Sequence, residues 1–149
     1  MTETILIRNG EVADVPKAVD VVNSFVKEMF AESGIKLESN VALEEFKKYA
    51  EYSEVAFDGE KMIGLIAGMV SEIGVSNDLM FQEKVWYVLP EHRSGVGRKL
   101  LKTMEDRLVK SGVKYSMMAH LGEIKSSAIE RFYKSNGYRV AETHYIKNL

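Results

Sequence analysis

The sequence has no cysteine. That excludes disulfides, thiolate metal ligands and a thiol nucleophile. Histidine is sparse as well: His92, His120 and His144 are the three present. Their spacing fits no metal-ligand pattern, so no metal is expected. No apolar run approaches the roughly 18 residues of a membrane span, and no apolar signal region follows Met1. The expectation is a cytoplasmic protein that engages no membrane. Nor does one sign of charge prevail: 20 Lys and Arg stand against 22 Asp and Glu, for a net charge of −2. Such an interspersed balance argues against nucleic acid or an anionic lipid surface as the main partner. Internal repeats, low-complexity tracts and linkers are all missing, which predicts one domain over residues 1–149.

What is present suits a folded globular chain. It has 149 residues, 46% hydrophobic and 28% charged, enough to bury about two-thirds of its unfolded surface. Residues 4–8 read as a short strand ended by Asn9-Gly10. Asp14 precedes Val15-Pro16 as an N-cap, and Val15, Ala18, Val19, Val22, Val26, Met29 and Phe30 form one helical stripe. Ser39 or Asn40 caps a second helix with Val41, Phe46, Tyr49 and Ala50 inward. Residues 55–57 and 62–70 around Asp58-Gly59 predict a hairpin, with Gly64 and Gly68 marking a bulge or a close backbone approach. A long strand then runs from Leu79 to Pro90, a short one covers 114–120, a helix starts at Ser126 or Ser127, and 138–146 reads as a final strand. Strands joined by hairpins and then by a helix predict a mixed α/β sheet with helices on both faces.

The chain is organised around residues 85–101, VWYVLPEHRSGVGRKLL. Val85 to Val88 is a β-branched and aromatic run, stopped by Pro90, which has no N–H for a ladder. Ser94-Gly95-Val96-Gly97 is a tight turn, and Leu100, Leu101, Met104 and Leu108 continue it as an amphipathic helix. A glycine turn entering a helix presents unpaired N–H groups and partial positive charge, which suits a pyrophosphate. Arg93, Arg98 and Lys99 add formal charge there. The residues equally allow a helix entry whose glycines only shape the turn. Neither the P-loop nor the dinucleotide fingerprint fits, since no Gly-Lys-Ser/Thr follows and Leu100 stands where a third glycine should be.

This stretch resembles the acetyl-CoA motif of the GNAT superfamily of N-acetyltransferases, a strand ending near V-x-P-E followed by Q/R-x-x-G-x-G/A. Val88-Leu89-Pro90-Glu91, Gly95 and Gly97 carry the match. Counting back from Gly95 puts His92, and not Arg93, at the usual Gln/Arg position. A second stretch, Ala128 to Tyr138, resembles the later segment A-x-x-x-[LF]-Y-x-x-x-G-[FY] of the same superfamily. The resemblance implies a mostly antiparallel sheet with one parallel strand pair that splays, and acetyl-CoA as cosubstrate. It places Tyr87, Val88, Arg93, Ser94, Gly95, Val96, Gly97, Arg98, Lys99, Ser126 and Tyr133 at the cofactor. By the same resemblance an N–H of Val88 polarises the thioester, and Tyr133 protonates the departing thiolate. Ser126 and Ser127 stand where the family often has an Asn. A homodimer is compatible with family habit.

Acetyl transfer also needs a neutral amine, and a lysine-like amine with a pKa near 10.4 must lose a proton first, at a cost of about 4–5 kcal/mol at pH 7. Glu83 and His120 are the candidate bases, with a water chain as the alternative. The acceptor, a small molecule or a peptide amine, is left open. Glu28, Glu32, Glu38, Glu44 and Glu45 would suit a cation, but equally form an ordinary solvated face. Beside catalysis, the sequence allows a catalytically silent CoA-binding or regulatory domain of the same fold.

Overall fold

The structure, a computed structural model, describes residues 4–31, 33–35, 43–120 and 126–149. Among these residues five strands form one sheet in sequence order. β1 (Leu6–Asn9), β2 (Ser53–Asp58), β3 (Lys61–Glu72) and β4 (Leu79–Val88) pair antiparallel, and β5 (Tyr115–Met117) lies parallel to β4. α1 (Val15–Phe30) and the single turn α2 (Leu43–Phe46) lie on one face. α3 (Val96–Lys110) covers the other, with Phe132 of α4 (Ser126–Ser135) packed beside it.

Each face has its own core. On one, Val15, Ala18, Val21 and Val22 of α1 meet Leu65, Ala67, Val85 and Tyr87. On the other, Leu100, Leu101, Met104 and Leu108 of α3 meet Ile63, Ile66, Phe81 and Val88. Of the stripe read for α1, Val15, Ala18 and Val22 are buried, Val19, Val26, Met29 and Phe30 are partly buried, and Val21 joins the buried row; the residues read for α3 are all buried. α3 ends where Gly112 takes φ +77, and α4 where Gly137 takes φ +86, a conformation that favours glycine. Asp14 precedes α1 as expected, but its carboxylate does not cap the helix. It is held by Arg8 through two bonds of 2.8 Å and accepts the Glu11 N–H.

Two expectations change. The helix expected after Asn40 is the turn α2 followed by a 3-10 turn, Lys47–Tyr49; its inward residues Phe46 and Ala50 are buried, while Ser39, Asn40 and Val41 lie outside the described residues. The final strand over 138–146 does not form. No ladder pairs it among the described residues, and Val140, Tyr145 and Ile146 are exposed. Its alternation sets polar side chains on both faces, with Glu142 and His144 beside Val140, and Arg139 and Thr143 beside Tyr145. A strand without one consistently apolar face has weak register and little to gain from pairing.

The feature that positions the site is a bulge. Ala67 pairs with Val85 and Gly68 with Glu83, which leaves Lys84 as one residue too many on β4. Side-chain parity switches across it: Leu79 and Phe81 face α3 before the bulge, Trp86 and Val88 after it. The strands come very close here. A Cβ on Gly68 would stand 2.2 Å from the Gln82 carbonyl oxygen, and one on Gly64 2.9 Å from that of Tyr87. Gly68→Ala should therefore destabilise the fold by about 3 kcal/mol, and Gly64→Ala by about 1–2. Gly74→Ala, whose Cβ meets nothing within 4 Å, should stay within about 0.5 kcal/mol. Urea melts of the three variants measure the order.

Candidate active site

The parallel ladder between β4 and β5 runs for three residue pairs, from Met80 opposite Tyr115 to Gln82 opposite Met117. Beyond the bulge the strands part, and Val85 to Val88 have no strand neighbour on that side among the described residues. Leu89 donates its N–H to Ile63 at 2.8 Å. Because main-chain groups alternate sides along a strand, both the N–H and the C=O of Val88 face away from β3, toward this gap.

Side chains from three elements converge where the strands part. Glu83, half-buried on β4, accepts the N–H of Ala119 at 3.2 Å. Tyr133 of α4 donates its hydroxyl to the Ala119 carbonyl at 2.9 Å. One peptide-linked residue thus joins the expected acid to an expected base. His120 lies beside them with its ring centre 6.5 Å from that of Tyr133, but it is exposed to solvent. Burial pushes the Glu83 carboxyl up to about 7, partly offset by the Ala119 N–H and the Lys84 charge. Burial first, then the nearby Glu83 charge, raises the Tyr133 phenol above its usual value. The arrangement therefore offers a carboxylate that exchanges protons near neutrality and a hydroxyl that keeps its own.

At the other end of the gap the glycine turn opens α3. Gly95 has φ +92, with open space where a Cβ would go. The Lys99 N–H is bonded to the Gly95 carbonyl at 3.2 Å, so the amides of Val96, Gly97 and Arg98 before it have no intrahelical partner. Trp86 donates its indole N–H to the Gly97 carbonyl at 3.1 Å, fastening the turn to β4. A Cβ on Gly97 would meet Trp86 and Val88 at 3.7–3.8 Å, an ordinary contact. The Arg98 guanidinium lies over the Phe132 ring at 5.5 Å, while Ser94 and Lys99 are exposed. These amides, cations and open glycine suit a pyrophosphate.

The side chains of Arg93 and Tyr87, two of the expected cofactor contacts, both bond Glu28 of α1. The Arg93 guanidinium bonds both carboxylate oxygens of Glu28, at 2.9 and 2.8 Å, and stacks over Tyr87 at 5.1 Å. The Tyr87 side chain belongs to the core on the α1 face. Its phenol, which bonds Glu28, is pushed up to about 12 by burial and by that carboxylate. Glu44 and Glu45 pair with Lys47 and Lys48. The Ser126 side chain, Glu32 and Glu38 lie outside the described residues. Sequence reasoning did not find the main chain of Ala119 or the Trp86 bond. Trp86 was legible only as a strand residue, and Ala119 has no side-chain signal at all. Among the described residues no group of three His, Asp or Glu side chains could hold a metal, and no helix is long and apolar enough to cross a membrane.

A family model described as an acetyltransferase (GNAT) domain matches residues 50–140. The chain belongs to the GNAT acetyltransferase family. No curated protein matches it in sequence. Solved structures share the fold over nearly the whole chain. An aminoglycoside acetyltransferase from an uncultured soil metagenomic sample, in complex with sisomicin, has a TM-score of 0.72 at 19% identity, covering 97% of this chain and 96% of that one. A ribosomal-protein-alanine N-acetyltransferase from Brucella melitensis biovar Abortus 2308 has a TM-score of 0.75 at 13% identity, covering 98% and 99%. An acetyltransferase from Trypanosoma brucei gives 0.71 at 16% identity, covering 98% and 100%. This GNAT fold is the one the two sequence motifs imply, with the splayed parallel pair at β4 and β5.

The raised Glu83 pKa has a measurable signature. The folded state holds a proton that the unfolded chain releases near pH 4.5, so Glu83 should cost stability as pH rises from about 5 to about 7. Allowing for its partial exposure, wild type should lose about 1–2 kcal/mol relative to Glu83→Gln between pH 5 and pH 8. Urea melts of both proteins at the two pH values measure it; a constant difference would mean that Glu83 titrates as an ordinary carboxyl.

Proposed function

We propose that this GNAT protein is an N-acetyltransferase that uses acetyl-CoA and transfers acetyl directly to a primary amine. The observation that carries the reading is the convergence of Glu83 and Tyr133 on Ala119 at the point where the two parallel strands separate. Acetyl-CoA supplies the activated acetyl group. The amides of Val96, Gly97 and Arg98, with Arg98 and Lys99 beside them, would hold its pyrophosphate. The Val88 N–H, on the gap side of β4, would donate to the acyl oxygen, where charge develops.

Glu83 then has the proton-accepting role. A carboxylate poised at about 7 is ionised in a useful fraction at neutral pH and can take a proton from the bound ammonium, directly or through one water, so that the neutral amine attacks the acyl carbon. Tyr133 remains protonated across the neutral range. Its phenol is a weaker acid than an alkyl thiol of pKa about 8.5, so it acts first as a hydrogen-bond donor to the departing sulfur, with the proton following. His120 is exposed to solvent, and is the less enclosed of the two candidate bases. The acceptor is a small-molecule or peptide amine; the structural relatives named for aminoglycosides and for a ribosomal-protein alanine mark two chemistries to try.

Thiol release from acetyl-CoA across a panel of aminoglycosides, polyamines and alanine-starting peptides tests the activity. With a working acceptor, Tyr133→Phe should cut turnover by about 100-fold, about 3 kcal/mol, while leaving acetyl-CoA affinity near wild type. Equal losses of rate and affinity would make Tyr133 a cofactor contact instead. Gly97→Asp should keep the fold, since its Cβ meets only ordinary contacts. It should also weaken acetyl-CoA binding by about 100-fold, because it adds a negative charge at the phosphate amides; calorimetry and a thermal melt decide both halves. Binding without turnover for any amine would favour a silent CoA-binding domain.

A further inference from the structure

Two neighbouring side chains, Tyr87 and Arg93, meet Glu28 of the distant helix α1 at the end of β4. Arg93 donates from Nε to the Val88 carbonyl at 2.8 Å, and from Nη1 and Nη2 to Glu28 on α1 at 2.9 and 2.8 Å. Tyr87 lies under the guanidinium, and its hydroxyl donates to the same Glu28 carboxylate. A planar fork that holds a carboxylate with one edge and a peptide oxygen with another has a single orientation, and a lysine could not reproduce it. The Val88–Leu89 peptide is thereby held at both ends, its N–H by Ile63 and its C=O by Arg93. On the other side of Val88, Tyr87 is set by its register with Leu65 and by its ring contacts. The Val88 N–H sits between two fixed points.

The geometry points to Glu28 and Arg93 as positioning residues that aim the Val88 N–H into the gap. This rests on the reading of that N–H as the donor to the thioester oxygen. Both side chains are 32% exposed, where an ion pair contributes little to stability. What the pair supplies is direction. An N–H turned by a few tens of degrees loses most of its bond to an oxygen held by the rest of the site. The sequence placed Arg93 at the phosphates; its three engaged nitrogens tie it to the strand end and to α1 instead.

The test compares wild type with Arg93→Met, Arg93→Lys and Glu28→Gln. Three quantities are read: acetyl-CoA affinity, single-turnover rate, and the infrared stretch of the bound carbonyl in 13C-labelled acetyl-CoA without acceptor. Wild type should lower the carbonyl frequency relative to free acetyl-CoA. Arg93→Met and Arg93→Lys should move it back toward the free value and slow transfer by about 10-fold, with affinity within about 2-fold. Glu28→Gln, which keeps one accepting oxygen, should fall between. A folded Arg93→Met with wild-type frequency and rate overturns the positioning role and leaves the proposed activity standing. A loss of affinity matching the loss of rate overturns it as well, by returning Arg93 to the phosphates. If Arg93→Met does not fold, Glu28→Gln carries the same decision with a change of one atom. An unshifted carbonyl in wild type removes the Val88 donor itself, and absent binding removes the proposed function.

Discussion

Opposite Gly68, β4 carries one residue more than β3 can pair, and from that residue onward β4 no longer follows β5. A parallel neighbour normally takes up every second N–H and C=O along a strand. Here the ladder is satisfied up to Gln82 and Met117 and then released. The main-chain groups set free would be a liability in a closed core. They are tolerable because they border an opening, and because particular groups have been assigned to them: Glu83 to the Ala119 N–H, Tyr133 to its carbonyl, and Arg93 to the Val88 carbonyl. Among the described residues, the Val88 N–H is left without a partner on the β4 side of the gap, as are the main-chain groups of Trp86, which face the same way.

The same opening explains why two ionisable groups beside it depart from their usual behaviour in one direction. Partial removal from water disfavours both anions, so the carboxyl and the phenol each hold their protons more tightly. Their starting points differ by more than five units, so a shared environment leaves one exchanging near neutrality and the other protonated across the neutral range. No separate cation or metal is required to set them apart. The division of labour proposed for base and acid would follow from side-chain chemistry plus common burial.

Local features of the chain were legible; partnerships across it were not. Periodicity found the buried rows of α1 and α3, and the glycines at 95, 112 and 137 marked turns because only a residue without a Cβ adopts their backbone angles cheaply. Gly64 and Gly68 were readable as sites of close approach for the same reason. The partner of Arg93 was not readable, since Glu28 lies far along the chain and belonged to an unremarkable acidic helix face. Residues 138–146 show the opposite failure. Alternation describes a ribbon with two faces, but says nothing about whether an edge is within reach or whether either face is apolar enough to need one. Parity in β4 could be misread in the same way, because strict alternation predicts Glu83, Val85 and Tyr87 on one face, whereas one unpaired residue sends Val85 and Tyr87 to the other.

Far from the gap, Arg107 donates to the carbonyl of Ser53 at 3.1 Å, to that of Glu51, and to the Glu54 carboxylate at 3.3 Å, a side chain that is 0% exposed. Together with the Trp86 bond to Gly97, this gives α3 a fixture near each end, separated by ten residues or about 15 Å of helix. A rod fastened at one point can pivot; fastened at two, it can neither pivot nor slide along its own axis. The span between the opening amides of α3 and the Val88 peptide is therefore a built-in length of the protein, set by the contacts of α3 with β4 and with the start of β2. Under the proposed reaction, a thioester whose acyl carbon and pyrophosphate stand at that separation would fit without adjustment, and the chain length between those two groups would be a quantity the protein measures.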